Sequence, residues 1–85
     1  MQTVKMIGSS IRFHRRKAGL TQAGLARLAG VGKASVFDVE KGKESVQLDT
    51  LLKILSVLNM ELAVKSPLMA EFLKATGSQT PSDKE

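Results

Sequence analysis

The first stretch of the chain has the periodicity of an amphipathic helix. Its apolar positions share one face of a 3.6-residue repeat, namely Val4, Ile7, Ile11 and Ala18. Thr3 is placed to cap the first turn, and Gly19 supplies the left-handed position that commonly follows a helix. The pattern predicts a first helix over approximately residues 4–18.

Three further helical segments follow at short intervals. Thr21 is a favourable N-cap for a helix over approximately Gln22–Ala29. A third helix is predicted to begin near Lys33 and to end at Gly42. A fourth, near Asp49–Leu58, is apolar around more than half of its circumference, as expected of a helix that fills a core: Leu51, Leu52, Ile54, Leu55 and Leu58. Because the connections are short, the first three helices are expected to cross sharply.

After Asn59 the apolar period changes from 3.6 to 2. Met60, Leu62 and Val64 alternate with polar or small residues, which predicts a short strand. A single strand has no ladder partner, and the sequence offers no second strand. The simplest solution is pairing with the same strand of another subunit about a two-fold axis, so the pattern predicts a homodimer.

The C-terminal part predicts one more short helix. Ser66 and Pro67 are typical of a helix start, and an apolar face follows before Gly77: Leu68, Met69, Phe72 and Leu73. Residues 78–85 are polar and are expected to be disordered. We therefore divide the chain into residues 1–66, which hold the four helices and the strand, and residues 67–85.

Charge is distributed unevenly along the chain. Residues 1–43 contain nine Lys or Arg and two acidic residues, whereas residues 44–85 contain four Lys and six acidic residues. The first half therefore carries a net charge of +7 and the second half −2, within a total of +5. A basic half is typical of a protein that binds DNA or RNA, although a solvated basic surface explains the charge equally well.

The composition argues against several classes of function. Without cysteine, the chain forms neither disulfides nor thiolate metal sites. His14 is the only histidine and lies near the apolar face of the first helix, where we expect a half-buried, hydrogen-bonded side chain. We therefore expect no catalytic residue, no metal and no cofactor. The chain shows no signal-peptide pattern and no membrane-spanning run, so a cytoplasmic protein is expected.

The most specific pattern lies in Gln22–Lys41, QAGLARLAGVGKASVFDVEK. Seven positions match the spacing of two helices that cross at a tight turn: Leu25, Ala26, Ala29, Gly30, Val31, Val36 and Val39. With its neighbours, GLTQAGLARLAGVGKASVFDVEKGK resembles the phage-repressor/Cro (Xre) family of helix-turn-helix proteins over about residues 7–59. We therefore expect an all-α helix-turn-helix bundle of four to five helices, with one short C-terminal β-strand in an intersubunit two-stranded sheet.

The resemblance implies that the helix beginning at Lys33 enters the major groove of DNA and that the preceding helix lies across the backbone. Positions that match base-reading residues of such repressors are Lys33, Ala34 and Asp38, with Ser35 and Phe37 nearby. Gln22 matches a backbone-contacting glutamine, and Lys41 and Lys43 are candidates for further phosphate contacts.

Four basic residues of the first helix have other interpretations. Arg15 and Glu40 match a family pair that forms an internal salt bridge, so we interpret them as structural. For Arg12, Arg16 and Lys17 a solvated face is favoured over a DNA contact, because the first helix of such proteins is often remote from DNA.

Within the Xre group, the chain is most similar to HipB-type antitoxins. The similarity lies in GLTQAGLARLAGV and in EKGKESVQLDTLLKILSVLNMELAV, where the last helix runs directly into the strand. It implies a dimer sealed by a two-stranded β-lid that binds a palindromic operator at the nucleoid, represses its own promoter and associates with a HipA-type serine/threonine kinase. In some systems of this kind a third small protein neutralises the kinase.

Two alternatives remain open. One is a stand-alone Xre regulator, for instance of phage origin, without a toxin partner. The other is a protein-interaction module that keeps the fold without binding an operator. Weak DNA binding that does not depend on salt would favour the module, because phosphate contacts produce a steep salt dependence.

Overall fold

Five helices make up the computed structural model, which describes residues 3–76. They are α1 (Val4–Lys17), α2 (Gln22–Ala29), α3 (Lys33–Lys41), α4 (Leu48–Val57) and α5 (Met69–Thr76). The predicted all-α helix-turn-helix bundle is confirmed. The C-terminal helix was predicted to end at Gly77, which lies outside the described residues. The disorder predicted for residues 78–85 lies wholly outside them.

Local signals in the sequence set the helix ends. The Thr3 hydroxyl accepts a hydrogen bond from the Met6 N–H at 3.1 Å, and the Thr21 hydroxyl accepts one from the Gly24 N–H at 2.9 Å. Each satisfies one backbone donor that has no partner within its helix. Gly30 and Gly42 follow α2 and α3 with φ of 73° and 85°, in the left-handed region that side chains disfavour.

The core takes one fully buried side chain from each of the first four helices: Ile11, Leu25, Val36 and Ile54. Val39, Leu51 and Leu55 extend this cluster, and Leu20, Val31 and Val46 pack against it from the connecting loops. Burial of one such aliphatic side chain stabilises the fold by about 1.5–3 kcal/mol. The core thus fixes the relative orientation of α2 and α3.

The N-terminal helix crosses α3 at a glycine. A Cβ atom on Gly8 would lie 2.3 Å from the Val39 carbonyl oxygen and 2.9 Å from that of Glu40. Only a residue without a side chain allows this separation. The buried face of α1 is centred on Gly8, Ile11 and Arg15.

The predicted burial of His14 is wrong, because this residue lies at the edge of that face. The side chain is exposed, although its Nδ1 is 2.7 Å from the Ser10 carbonyl oxygen. Ala18, which the periodicity placed on the apolar stripe, is also exposed, since it follows the last residue of α1 as its C-cap.

The strand predicted over residues 60–65 is not confirmed, since the chain contains no β-strand between residues 3 and 76. The segment after α4 lacks regular secondary structure; Met60 packs against the core, whereas Leu62 and Val64 are exposed. Strand pairing requires ladder hydrogen bonds from a second segment, and residues 3–76 of a single chain supply none.

The last helix has no buried residue. Leu68 and Phe72 are exposed, and Met69 and Leu73 are half-buried. None of the helices within the described part of the chain combines the length and the hydropathy that crossing a bilayer requires.

Candidate nucleic-acid interface

The turn between α2 and α3 is held by backbone hydrogen bonds. The Val31 N–H donates to the Ala26 carbonyl at 3.0 Å, and Gly30 adopts φ 73° and ψ 32° between them. The Gly32 carbonyl accepts the N–H of Ser35 at 3.0 Å and starts α3 without a side-chain cap. Leu25 and Ala26 are buried beneath the turn. The turn therefore holds α3 in one orientation relative to α2.

One face of α3 is buried and the other is open to solvent. Val36, Val39 and Glu40 face the core. Lys33, Ala34, Phe37 and Lys41 are exposed, and Ser35 and Asp38 are half-buried. Four of the six residues predicted on this helix therefore face solvent, and Ser35 and Asp38 lie partly covered.

An ion pair between α1 and α3 holds the candidate DNA-contacting helix against the rest of the bundle. Arg15 Nε lies 2.6 Å from Glu40 Oε2, and Arg15 Nη2 lies 3.1 Å from Glu40 Oε1. The two side chains are only 11% and 3% exposed. Arg15 Nη1 also donates to the Leu20 carbonyl at 2.8 Å, which ties the α1–α2 turn to the same guanidinium. The pair that the family resemblance implied is present, and it joins α1, the α1–α2 turn and α3.

The same carboxylate orients Gln22 at the start of α2. Gln22 Nε2 donates to Glu40 Oε1 at 3.1 Å, and the residue is half-buried. An amide nitrogen carries two hydrogens, so one donor of Nε2 is left for another acceptor. Glu40 thus positions a residue that the sequence predicted to contact the DNA backbone.

Two of the predicted contact residues also pair with each other. Lys43 Nζ lies 3.5 Å from Asp38 Oδ2, with side-chain exposures of 56% and 38%. Lys41 Nζ lies 5.0 Å from the centroid of the Phe37 ring. Exposed pairs of this kind are worth about 0–1 kcal/mol, so both lysines can exchange these partners for phosphates at small cost.

Arg16, interpreted from the sequence as part of a solvated face, is exposed in the structure and lies beside candidate contact residues. It lines a groove together with Gln22, Ala23 and Lys33, whereas Arg12 and Lys17 do not line this groove. The helical pattern of α1 held no signal for this placement, because the position of α2 relative to α1 depends on the turn at Gly19.

Comparisons with known proteins identify the family of this chain. The model of the helix-turn-helix family HTH_3 matches residues 11–65. An uncharacterised HTH-type transcriptional regulator of Sinorhizobium fredii is 33% identical over 67 residues, which cover 79% of this chain and 88% of that protein. A second uncharacterised HTH-type transcriptional regulator, from Haemophilus influenzae, is 38% identical over 50 residues, or 59% of this chain and 51% of that protein.

Solved structures with a similar fold include HipB proteins. A HipB variant in a complex with an O2 20mer superposes with a TM-score of 0.70 at 24% identity, covering 79% of this chain and 93% of that chain. A HipA-HipB-O2-O3 complex gives the same TM-score at 22% identity, with coverages of 79% and 94%. At these identities the likeness concerns the fold.

Proposed function

Because this chain belongs to the helix-turn-helix family HTH_3, we propose that it is a sequence-specific repressor that binds operator DNA through α2 and α3. The family and its relatives show that the chain is a helix-turn-helix transcriptional regulator. The observation that carries the proposal is the exposed face of α3, held in one orientation by a hydrogen-bonded turn and by the Arg15–Glu40 pair.

In the proposed complex α3 lies in the major groove, which is wide enough for one helix. Lys33 donates to guanine O6 and N7, Asp38 accepts from cytosine N4, and Ala34 contacts a thymine methyl group. Ser35 and Phe37 lie close enough on the same helix to take part in reading bases. The carboxylate of Asp38 also repels phosphates, so it disfavours sites where no cytosine amine is in reach.

Phosphate contacts come from residues around α3. Gln22 lies at the start of α2 and uses one of its two amide hydrogens on Glu40; Lys41 is the last residue of α3, and Lys43 lies just after it. Such contacts fix the register of a protein on DNA and make its affinity fall steeply with salt. Phosphate contacts add affinity for any DNA sequence, whereas the α3 residues discriminate between sequences.

We propose that the protein acts as a homodimer. Apolar side chains at the surface of α2 and α4 support this, since Leu28 is 60% exposed, Leu52 is 44% exposed and Leu48 is exposed as well. The segment that carries Met60, Leu62 and Val64 follows α4 directly and would pair with its copy as a two-stranded β-lid. The dimer then places two copies of α3 about 34 Å apart, in successive major grooves of a palindrome.

The finer proposal is that this repressor is the HipB-like antitoxin component of a toxin–antitoxin operon. The fold likeness to HipB, including HipB in a complex with HipA and DNA, supports this role. The partner would be a HipA-type kinase, with a third small protein as an optional member. A stand-alone Xre-type regulator is the alternative, and the two HTH-type relatives are compatible with it.

A binding assay with the DNA upstream of the protein's own gene tests sequence-specific DNA binding. We expect a saturable complex that survives an excess of unrelated competitor DNA, and equal competition by unrelated DNA would contradict sequence-specific binding. Co-purification with a HipA-like kinase from native cells tests the antitoxin role. Recovery of promoter DNA without a kinase would favour the stand-alone regulator.

A further inference from the structure

A groove separates the C-terminal end of α1 from the N-terminal end of α2, and Lys33 of α3 borders it. Three elements that the fold holds rigidly therefore meet around one surface depression. Its basic side chains are Arg15, Arg16 and Lys33. Gln22, which the proposed function assigns to the DNA backbone, lines the same groove.

The basic side chains of this groove differ in whether a carboxylate already pairs with them. Arg15 is paired with Glu40 and bound to the Leu20 carbonyl, so its donors point into the fold. Within residues 3–76 the ion pairs are Arg15–Glu40 and Lys43–Asp38, so neither Arg16 nor Lys33 has a carboxylate partner there. The groove therefore has a positive charge that the described part of the chain does not neutralise.

We infer that Arg16 binds a phosphate of the DNA backbone in this groove, beside Gln22 and Lys33. This inference rests on the proposed function and adds a contact from α1 to an interface otherwise made by α2, α3 and the residues after them. A guanidinium group has a planar set of donors that matches two phosphate oxygens at once. The contact would anchor the end of α1 while Lys33 reaches the bases.

The position of Arg16 on α1 explains why its neighbours do not share this role. Consecutive helical residues are about 100° apart, so Arg15 points to the core while Arg16 reaches the groove. Arg12 lies on the same face one turn earlier, about 6 Å along the axis of α1 at a rise of 1.5 Å per residue, and does not line the groove. Lys17 Nζ lies 5.7 Å from the centroid of the Phe13 ring instead. Arg12 is thus a matched control of the same residue type.

The test compares Arg16→Gln with Arg12→Gln in the full-length protein. Fluorescence anisotropy measures affinity over a range of salt concentrations, using a labelled duplex long enough for two half-sites one helical turn apart. Each lost phosphate contact reduces the slope of log K against log salt by about 0.9, so a dimer of Arg16→Gln should lose about 1.8. Arg12→Gln should keep the wild-type slope, and Arg16→Lys should keep most of it because the charge remains.

Two results would overturn the inference: a wild-type slope for Arg16→Gln, or an equal loss of slope for Arg12→Gln. Both variants change exposed residues, and matching thermal unfolding midpoints would show that the fold is intact. If the wild-type protein itself bound the duplex without salt dependence, the proposed function would fail together with the inference. A steep wild-type slope with no effect of Arg16→Gln would reject only the role of Arg16.

Discussion

The Cα atom of Gly8 lies against the backbone of Val39, so that a Cβ atom on Gly8 would be 2.3 Å from the Val39 carbonyl oxygen. This contact sets the distance between α1 and α3, and it brings Arg15, two turns further along α1, to the carboxylate of Glu40. A glycine inside a helix is normally unfavourable. Here it is the residue that lets the ion pair form.

We predict that Gly8→Ala destabilises the protein. Helix propensity alone would make this change stabilising by about 1 kcal/mol. The clash with a backbone oxygen should instead lower the free energy of unfolding by about 1–3 kcal/mol, because a backbone cannot move as a side chain does. Urea denaturation measures the difference. As a control, Ser9→Ala changes an exposed position of the same helix and should leave the free energy of unfolding unchanged or slightly higher. A Gly8→Ala variant more stable than the wild type would contradict the close approach of α1 and α3.

The two ion pairs of the structure should differ in their importance for stability. Glu40→Ala removes the partner of a mostly buried Arg15 and should cost about 3 kcal/mol. Asp38→Ala removes the partner of exposed Lys43 and should cost less than about 1 kcal/mol. Denaturant unfolding of both variants tests this difference. Equal losses would show that Arg15 finds another partner or solvent when Glu40 is absent.

Lys33 and Lys43 should affect DNA binding in different ways. Lys33→Ala should relax the preference for one base pair of the operator, because a lost base contact typically removes about 1–3 kcal/mol of discrimination. Lys43→Ala should weaken binding to all sequences alike and reduce the salt slope. Competition binding to a set of single-base operator variants separates the two effects. Unchanged affinity and unchanged preference in both variants would place α3 outside the groove.

Leu62→Pro should produce a monomer that has lost operator binding. Proline has no N–H for a strand ladder, so it would disrupt the proposed pairing of this segment with its copy. Leu62→Val keeps both the N–H and a preference for strands, and it should remain a dimer. Analytical ultracentrifugation gives the mass of each variant. A dimer that survives Leu62→Pro would reject the β-lid.

Features determined by neighbouring residues could be predicted from the sequence. Thr3, Thr21 and Gly42 mark helix ends by local hydrogen bonds or backbone conformation, and the structure has helix ends at these residues. The partnership of Arg15 with Glu40 followed from the resemblance to the Xre family, since their separation in sequence gives no local signal.

Features that depend on how distant segments meet could not be predicted in the same way. The role of Gly8 could not be predicted, because it depends on the crossing of α1 and α3. That Arg16 lines a groove with Gln22 and Lys33 could not be predicted, because the groove exists only once the Gly19 turn has placed α2. The alternation of Met60, Leu62 and Val64 predicted a strand, but residues 3–76 of one chain supply no partner segment for a ladder, and no strand forms there.

A hydroxyl-radical footprint of the protein on the DNA upstream of its own gene tests the central claim most directly. If two α3 helices occupy successive major grooves, the footprint should show two protected half-sites about 10 base pairs apart, related by a palindrome. Lys33→Ala should lose this protection at concentrations where the wild-type protein retains it. Absence of protection, or uniform protection without a repeat of one helical turn, would contradict operator binding by a dimer through α3.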